Sequence, residues 1–309
     1  MRAWPLNQLQ LLAVAGVAYS AVACSASVSS DTGESSEEAG VTRGLVRIER
    51  STTLEPDGAR AYALARFANV SSANPDRVLE LLQLTNALPD VGQCFEADAD
   101  SQPALSGLGR VELLEAGDVT VAAADQATLL APRAFPTVKD LVSGVVYSTR
   151  DQAADPLPAA ANYHITSSGS ALLPPLDITA DAPLSPTGVR MTGLNLGEVD
   201  NLDLSHTVTV AWEPGDDPGA DYRDLVVFEL SDGVSTLLCG FDDLTGRGSV
   251  PQSVLQNSAL ALDSSRSDAS VALHRVRSVP FTSEGLDEGE IRFDFEVRSR
   301  VRVLRSAAE

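Results

Sequence analysis

The sequence predicts an all-β protein: two antiparallel β-sandwich domains behind a cleaved signal and a disordered tether, with one short helix in the first domain. Three observations predict it. Apolar and polar residues alternate along most of the chain, turn-forming residues separate the runs, and long stretches of helical period are nearly absent. Alternation sends successive side chains to opposite faces of a strand, so that one face packs while the other meets water.

At the start of the chain, Arg2 precedes an apolar run from Leu11 to Ala23, and Cys24 follows. The run has 13 residues, whereas a membrane-spanning helix needs about 20, so it has the length of a signal-peptide core. Residues 25–40 hold six Ser, four carboxylates and Val28 as their largest apolar group. Such a segment cannot bury enough surface to offset the entropy of ordering, and it is expected to be a flexible tether reaching at most about 55 Å.

The junction Ala21-Val22-Ala23-Cys24 resembles the lipobox of bacterial lipoproteins, with Ala21 where Leu is usual. The resemblance implies cleavage after residue 23 and a lipid on the Cys24 thiol. Ser25 at the next position implies export to the outer membrane or cell surface. The same Ala-Val-Ala also satisfies the small-x-small pattern of ordinary secretory cleavage, which would leave a periplasmic or secreted protein with an unmodified Cys24.

The first domain is expected over residues 41–181. Its strands are read at Leu45–Arg50, Ala61–Val70, Arg110–Leu114, Asp118–Ala123, Leu141–Ser148 and Tyr163–Ser167, with Glu115–Asp118 as a hairpin turn. A helix is expected from Asn74, a capping residue, through Pro75, Val78, Leu81, Leu82 and Thr85 to a stop at Pro89. The unbroken apolar stretch Val78–Leu84 is also compatible with a buried strand.

Pro183 and Pro186 lie within Asp177–Pro186, and Pro175 stands just before it, so this stretch reads as a linker. The second domain is placed over 182–305, with 306–309 as a tail. Thr207–Trp212 alternates with Val208, Val210 and Trp212 on one face; Asp224–Leu230 is more continuously apolar. Ile291–Val303 sets Ile291, Phe293, Phe295, Val297, Val301 and Val303 against a charged face, as one strand or as two joined by a bend near Ser299. In length, strand count and the strand ending in Trp212, this domain resembles the fibronectin type III and immunoglobulin-like sandwiches, although no cysteine pair brackets the tryptophan. Trp212 is read as a core residue.

Asp and Glu outnumber Lys and Arg by 43 to 22. A polyanion of this kind is repelled by nucleic acid, which excludes that class of partner. Apart from Cys24 there are two cysteines, Cys94 and Cys239. An exported protein permits a disulfide between them, and two separate buried thiols are the alternative.

The sequence carries little recognisable chemistry. His164, His206 and His274 are far apart, no close Cys-x-x-Cys or His-Glu-x-x-His pair occurs, and neither Gly-x-Ser-x-Gly nor a phosphate-binding glycine loop is present. Zinc, serine-nucleophile and nucleotide-hydrolysing mechanisms therefore lack support, and no cofactor is implied. Carboxylates are the one class with potential. Asp216, Asp217, Asp221 and Asp224 lie in or beside one inter-strand loop, where they read as a solvated acidic loop or as oxygen ligands for calcium. The function expected is that of a cell-envelope lipoprotein anchored to the membrane by its N-terminal lipid, with a non-catalytic binding or structural role toward a protein or glycan. The alternatives are a secreted or periplasmic hydrolase acting on glycans, whose paired carboxylates sequence alone cannot place, and a calcium-dependent adhesin.

Overall fold

The computed structural model describes residues 40–54, 58–72, 78–79, 84, 88–98, 110–138, 142–149, 157–216, 222, 224–262 and 268–304. All of them belong to one compact unit, Glu38–Glu309. The architecture is all-β. The strands are β1 (Val41–Thr53), β2 (Ala59–Ser71), β3 (Cys94–Asp98), β4 (Arg110–Leu113), β5 (Val119–Ala123), β6 (Gln126–Leu129), β7 (Ala131–Val138), β8 (Val142–Ser148), β9 (Asn162–Ser167) and β10 (Asp177–Asp181). They continue with β11 (Arg190–Met191), β12 (Leu194–Asn195), β13 (Asn201–Asp203), β14 (Val208–Ala211), β15 (Asp224–Ser231), β16 (Ser235–Asp242), β17 (Arg247–Val250), β18 (Asp268–Ser283) and β19 (Leu286–Leu304).

An 11-stranded sheet runs in the order β3, β16, β15, β18, β19, β1, β2, β4, β8, β7, with β13 added alongside β19. Two four-stranded sheets, β10-β9-β5-β6 and β12-β11-β14-β17, accompany it. Val46, Ile48, Ala63, Phe67, Phe293 and Phe295 of the large sheet pack on Val119, Val121, Tyr163 and Ile165 of the first small sheet. Val226, Phe228, Leu273 and Val301 pack on Met191, Val208, Val210 and Val250 of the second. Ile291 through Val303 alternate along one uninterrupted strand and feed both cores, so both small sheets cover the same face of the large one. Each fully buried phenylalanine in this layer contributes about 2–3 kcal/mol.

A third, smaller core lies on the opposite face, where Leu45, Ala68, Val70, Val111 and Leu113 meet Val78, Leu79 and Leu84. Val78 and Leu79 are helical. Of the rest of the expected helix, Asn74, Pro75, Leu81, Leu82 and Thr85 lie outside the described residues, and Leu84 is in a bend, where its amide donates to the Leu79 carbonyl at 2.8 Å. Two helices not read from the sequence, α1 (Gln252–Asn257) and α2 (Ala259–Leu262), pack Leu255 and Leu260 into the second core.

Several expectations are corrected. The segments 41–181 and 182–305 are not separately hydrogen-bonded bodies: β1 pairs in parallel with β19 from Arg43↔Glu288 to Thr53↔Arg298, and β3 pairs with β16. What divides them is which small sheet each supplies to a shared large one. The expected linker begins as strand β10, because its prolines fall outside Asp177–Asp181 and leave every N–H in that stretch free to pair with β9. Glu115–Asp118 is not a hairpin turn. It carries the chain from β4 in the large sheet to β5 in a small one, with Ala116 buried and Gly117 at φ +71°. Of the two readings of Ile291–Val303, the single strand holds: Ser299 pairs with Val271 in a register continuous from Asp268 to Phe281.

Candidate functional site

Strand β18 organises the polar chemistry of the molecule. Ala269, Val271, Leu273 and Val279 point to the covered face of the large sheet, and the alternation carries Arg275 and Arg277 to the same face. These arginines sit where one core gives way to the other. Arg275 is 1% exposed. Its Nη1 donates to the carbonyls of Leu184 and Ser185 at 3.1 and 3.3 Å, and its Nη2 donates to the Glu213 carbonyl at 2.7 Å and to Asp243 Oδ1 at 2.9 Å. Arg277 grips Asp224 through Nε and Nη2 at 2.6 and 2.7 Å and donates from Nη1 to the Asp181 carbonyl at 3.1 Å.

The Asp181 carbonyl ends β10, and those of Leu184 and Ser185 lie in the connection from it to the second small sheet, so the arginines bind the start of that connection to the large sheet. Charges this deeply buried persist only when paired and hydrogen-bonded. Asp243 completes the junction. Its Oδ2 accepts from the Gly215 amide at 2.9 Å, and its carbonyl accepts from Trp212 Nε1 at 3.0 Å.

On the opposite face His274 occupies the alternate position of β18, with Glu296 directly across on β19. His274 Nδ1 lies 2.8 Å from Asp294 Oδ1, and its Nε2 is 3.3 Å from both Glu229 Oε2 and Glu296 Oε2. Arg298 Nη2 bridges Glu229 and Glu296 at 3.0 and 2.8 Å, while Arg47 reaches Asp294 at 3.2 Å and Glu49 at 2.7 Å. Together they line a hollow of about 230 Å³.

Burial works against the His274 charge, yet the Asp294 carboxylate, helped by Glu229 and Glu296, wins and raises its pKa well above the ordinary imidazole value. Burial also opposes the Asp294 charge, but His274 and Arg47 bring its pKa down to about 2. Glu49 moves the other way: burial raises it, with Arg47 only partly offsetting.

The residues singled out in the sequence fare differently. Cys24 lies outside the described residues. Cys94 and Cys239 are joined as a disulfide between facing positions of β3 and β16, closing a separation of 145 residues. Of the acidic loop, Asp217 and Asp221 lie outside the described residues. Asp216 is exposed, and Asp224 is buried with its carboxylate held by Arg277. Asp224 is therefore engaged as an ion-pair partner, and among the described residues no group of three or more His, Cys, Asp or Glu is arranged to hold a metal.

His164 pairs with Asp177 and His206 with Asp203, far from His274 in the sheet order, so the three imidazoles do not converge. Trp212 is a core residue, tilted against Phe241 with ring centroids 6.0 Å apart. The junction arginines escaped the sequence reading, although the phase of Ala269, Val271, Leu273 and Val279 signals that positions 275 and 277 face inward.

Fold and site together define an all-β, disulfide-linked sandwich protein whose polar groups concentrate on both faces of one strand. No protein family matches the chain, and no curated protein is similar to it in sequence.

Proposed function

We propose that this protein is a cell-envelope lipoprotein, cleaved before Cys24 and lipidated on its thiol, whose β-sandwich body serves a non-catalytic binding role at the outer membrane or cell surface. The observation that carries the reading is Ala21-Val22-Ala23-Cys24, placed between an apolar leader and a Ser- and Glu-rich tether. The strongly acidic composition is consistent with a protein or glycan partner and argues against nucleic acid.

Expression with the native leader in a Gram-negative host, followed by intact mass and detergent partitioning of wild type and Cys24→Ala, tests it. A triacyl mass increment and detergent partitioning that vanish in the variant support the anchor. Soluble wild type cleaved at Ala23 overturns it.

A second reading, hydrolysis of a glycan, is favoured by one observation: Glu49 has a raised pKa and lines a hollow with Asp294, Glu229 and Glu296. Release of reducing ends from cell-wall polysaccharide by wild type but not by Glu49→Gln would replace the binding reading. No release from either retires the hydrolase.

A further inference from the structure

We propose that the cavity at the junction of the two small sheets binds a neutral polyhydroxylated ligand, a short saccharide, between Tyr222, Asn162, Thr179, Asp181, Asp216 and Arg277. The cavity measures about 460 Å³, within the roughly 300–1,000 Å³ of small-molecule sites, and junctions between packed units are where such sites form. The proposal rests on reading the body as a binding scaffold and names what it binds.

The lining selects the ligand. Arg277 has its charge balanced by Asp224, so the net charge left on the wall is that of Asp181 and Asp216. That charge rejects phosphates, carboxylates and nucleotides. Asn162 Nδ2 already donates to Asp181 Oδ1 at 2.9 Å. A small cation would use the carboxylates but leave idle the second Asn162 amide N–H, the Thr179 and Tyr222 hydroxyls, and Arg277, three of whose five N–H groups are committed. A hydroxyl group both donates and accepts, so a polyol satisfies carboxylates and donors together. Planar amide, carboxylate and guanidinium groups can also bridge adjacent hydroxyls. Tyr222 is half-buried and packs on the first core, which leaves part of its ring available to the C–H face of a sugar.

The rim is set by the fold. Ala160, at one edge, holds φ at +51°, a left-handed conformation that costs an alanine energy and persists only where the surroundings impose it. The other described non-glycine residues with positive φ, Ala124 and Thr192, occupy tight turns between paired strands. Ala160 is in no such turn; its amide donates to the Pro183 carbonyl at 3.0 Å, and both residues line the cavity. Arg277 Nη1, donating to the Asp181 carbonyl at 3.1 Å, ties two further lining residues together. The site thus shares Arg277, one of the two junction arginines, with the ion pair to Asp224.

The test is calorimetric titration of the full ectodomain with glucose, galactose, mannose, N-acetylglucosamine and their β-linked disaccharides, with spermidine and inorganic phosphate alongside. The expected result is binding of at least one saccharide, weakened at least about tenfold by Tyr222→Ala and by Asp216→Asn and unchanged by Asp268→Asn at the far end of β18. Melting curves of all variants should match wild type, which separates lost binding from lost folding. No saccharide binding at millimolar concentration overturns the proposal, as does saccharide binding insensitive to both cavity variants. Binding of spermidine alone also overturns it, in favour of a polyamine. Detergent partitioning of the Cys24 pair is independent of these outcomes, so a failed cavity and a failed anchor are told apart.

Discussion

Replacing Arg275 with methionine removes the guanidinium that joins the two halves while keeping an unbranched side chain of similar length. Four hydrogen bonds are lost, and Asp243, whose side chain is 2% exposed, is left with a buried charge and, among the described residues, the Gly215 amide to satisfy it. Breaking one side of a buried pair costs about 3–5 kcal/mol, which for a body of this size lowers the melting temperature by about 6–20 °C. Removing Asp243 as well, as Asp243→Leu, takes away the stranded charge, so the double variant should recover about 1–3 kcal/mol relative to the sum of the singles.

Urea unfolding provides the assay. Trp212 donates to the Asp243 carbonyl, and expressing the protein without residues 1–23 removes the other tryptophan, Trp4, so that the fluorescence reports the junction directly. A loss below about 1 kcal/mol in the single variant, or strict additivity in the cycle, would refute the role given to Arg275.

The charged cluster predicts a pH dependence of stability. His274 has a folded pKa above its unfolded one, so its contribution is complete below about pH 6.5 and drains away as the pH rises through the raised value. The stability difference between wild type and His274→Gln should therefore be largest in mild acid and shrink toward alkaline pH. Asp294, lowered to about 2, acts in the opposite sense: its contribution, about 2 kcal/mol, is present above about pH 4 and lost as the pH falls toward 2, measured against Asp294→Asn. Removing the disulfide as Cys94→Ala with Cys239→Ala should destabilise by about 5 kcal/mol on the chain-entropy argument for a 145-residue separation, seen as a lower urea midpoint; an unchanged midpoint would show the crosslink to be dispensable. Because Asp224 is committed to Arg277, EDTA should leave the melting temperature unmoved, and a drop on chelation would restore the calcium reading.

The all-β class, the strand ending at Trp212 and the strand from Ile291 were legible because alternation is a local property of the chain: each residue's phase follows from its neighbour's. The leader and tether readings rest on contiguous composition in the same way, but before residue 40 they fall outside the described residues. Strand β18 was not, because Arg275 and Arg277 occupy inward positions and interrupt the apolar alternation that marks a buried face. Nor was β10, hidden among prolines that mark a linker when they are counted but leave its own five residues free.

Pairing lies beyond local pattern altogether. That β1 lies beside β19, that β3 is stapled to β16, and that one large sheet serves two small ones are choices among distant segments, decided by which faces bury the most apolar surface together. The sequence by itself determined the period of the strands, the order of turns and the acidic composition. Only the tertiary structure decided that two expected domains share a sheet, that Arg275 and Arg277 point into their junction, and that Asp224 meets an arginine, because burial and pairing are properties of what lies across space.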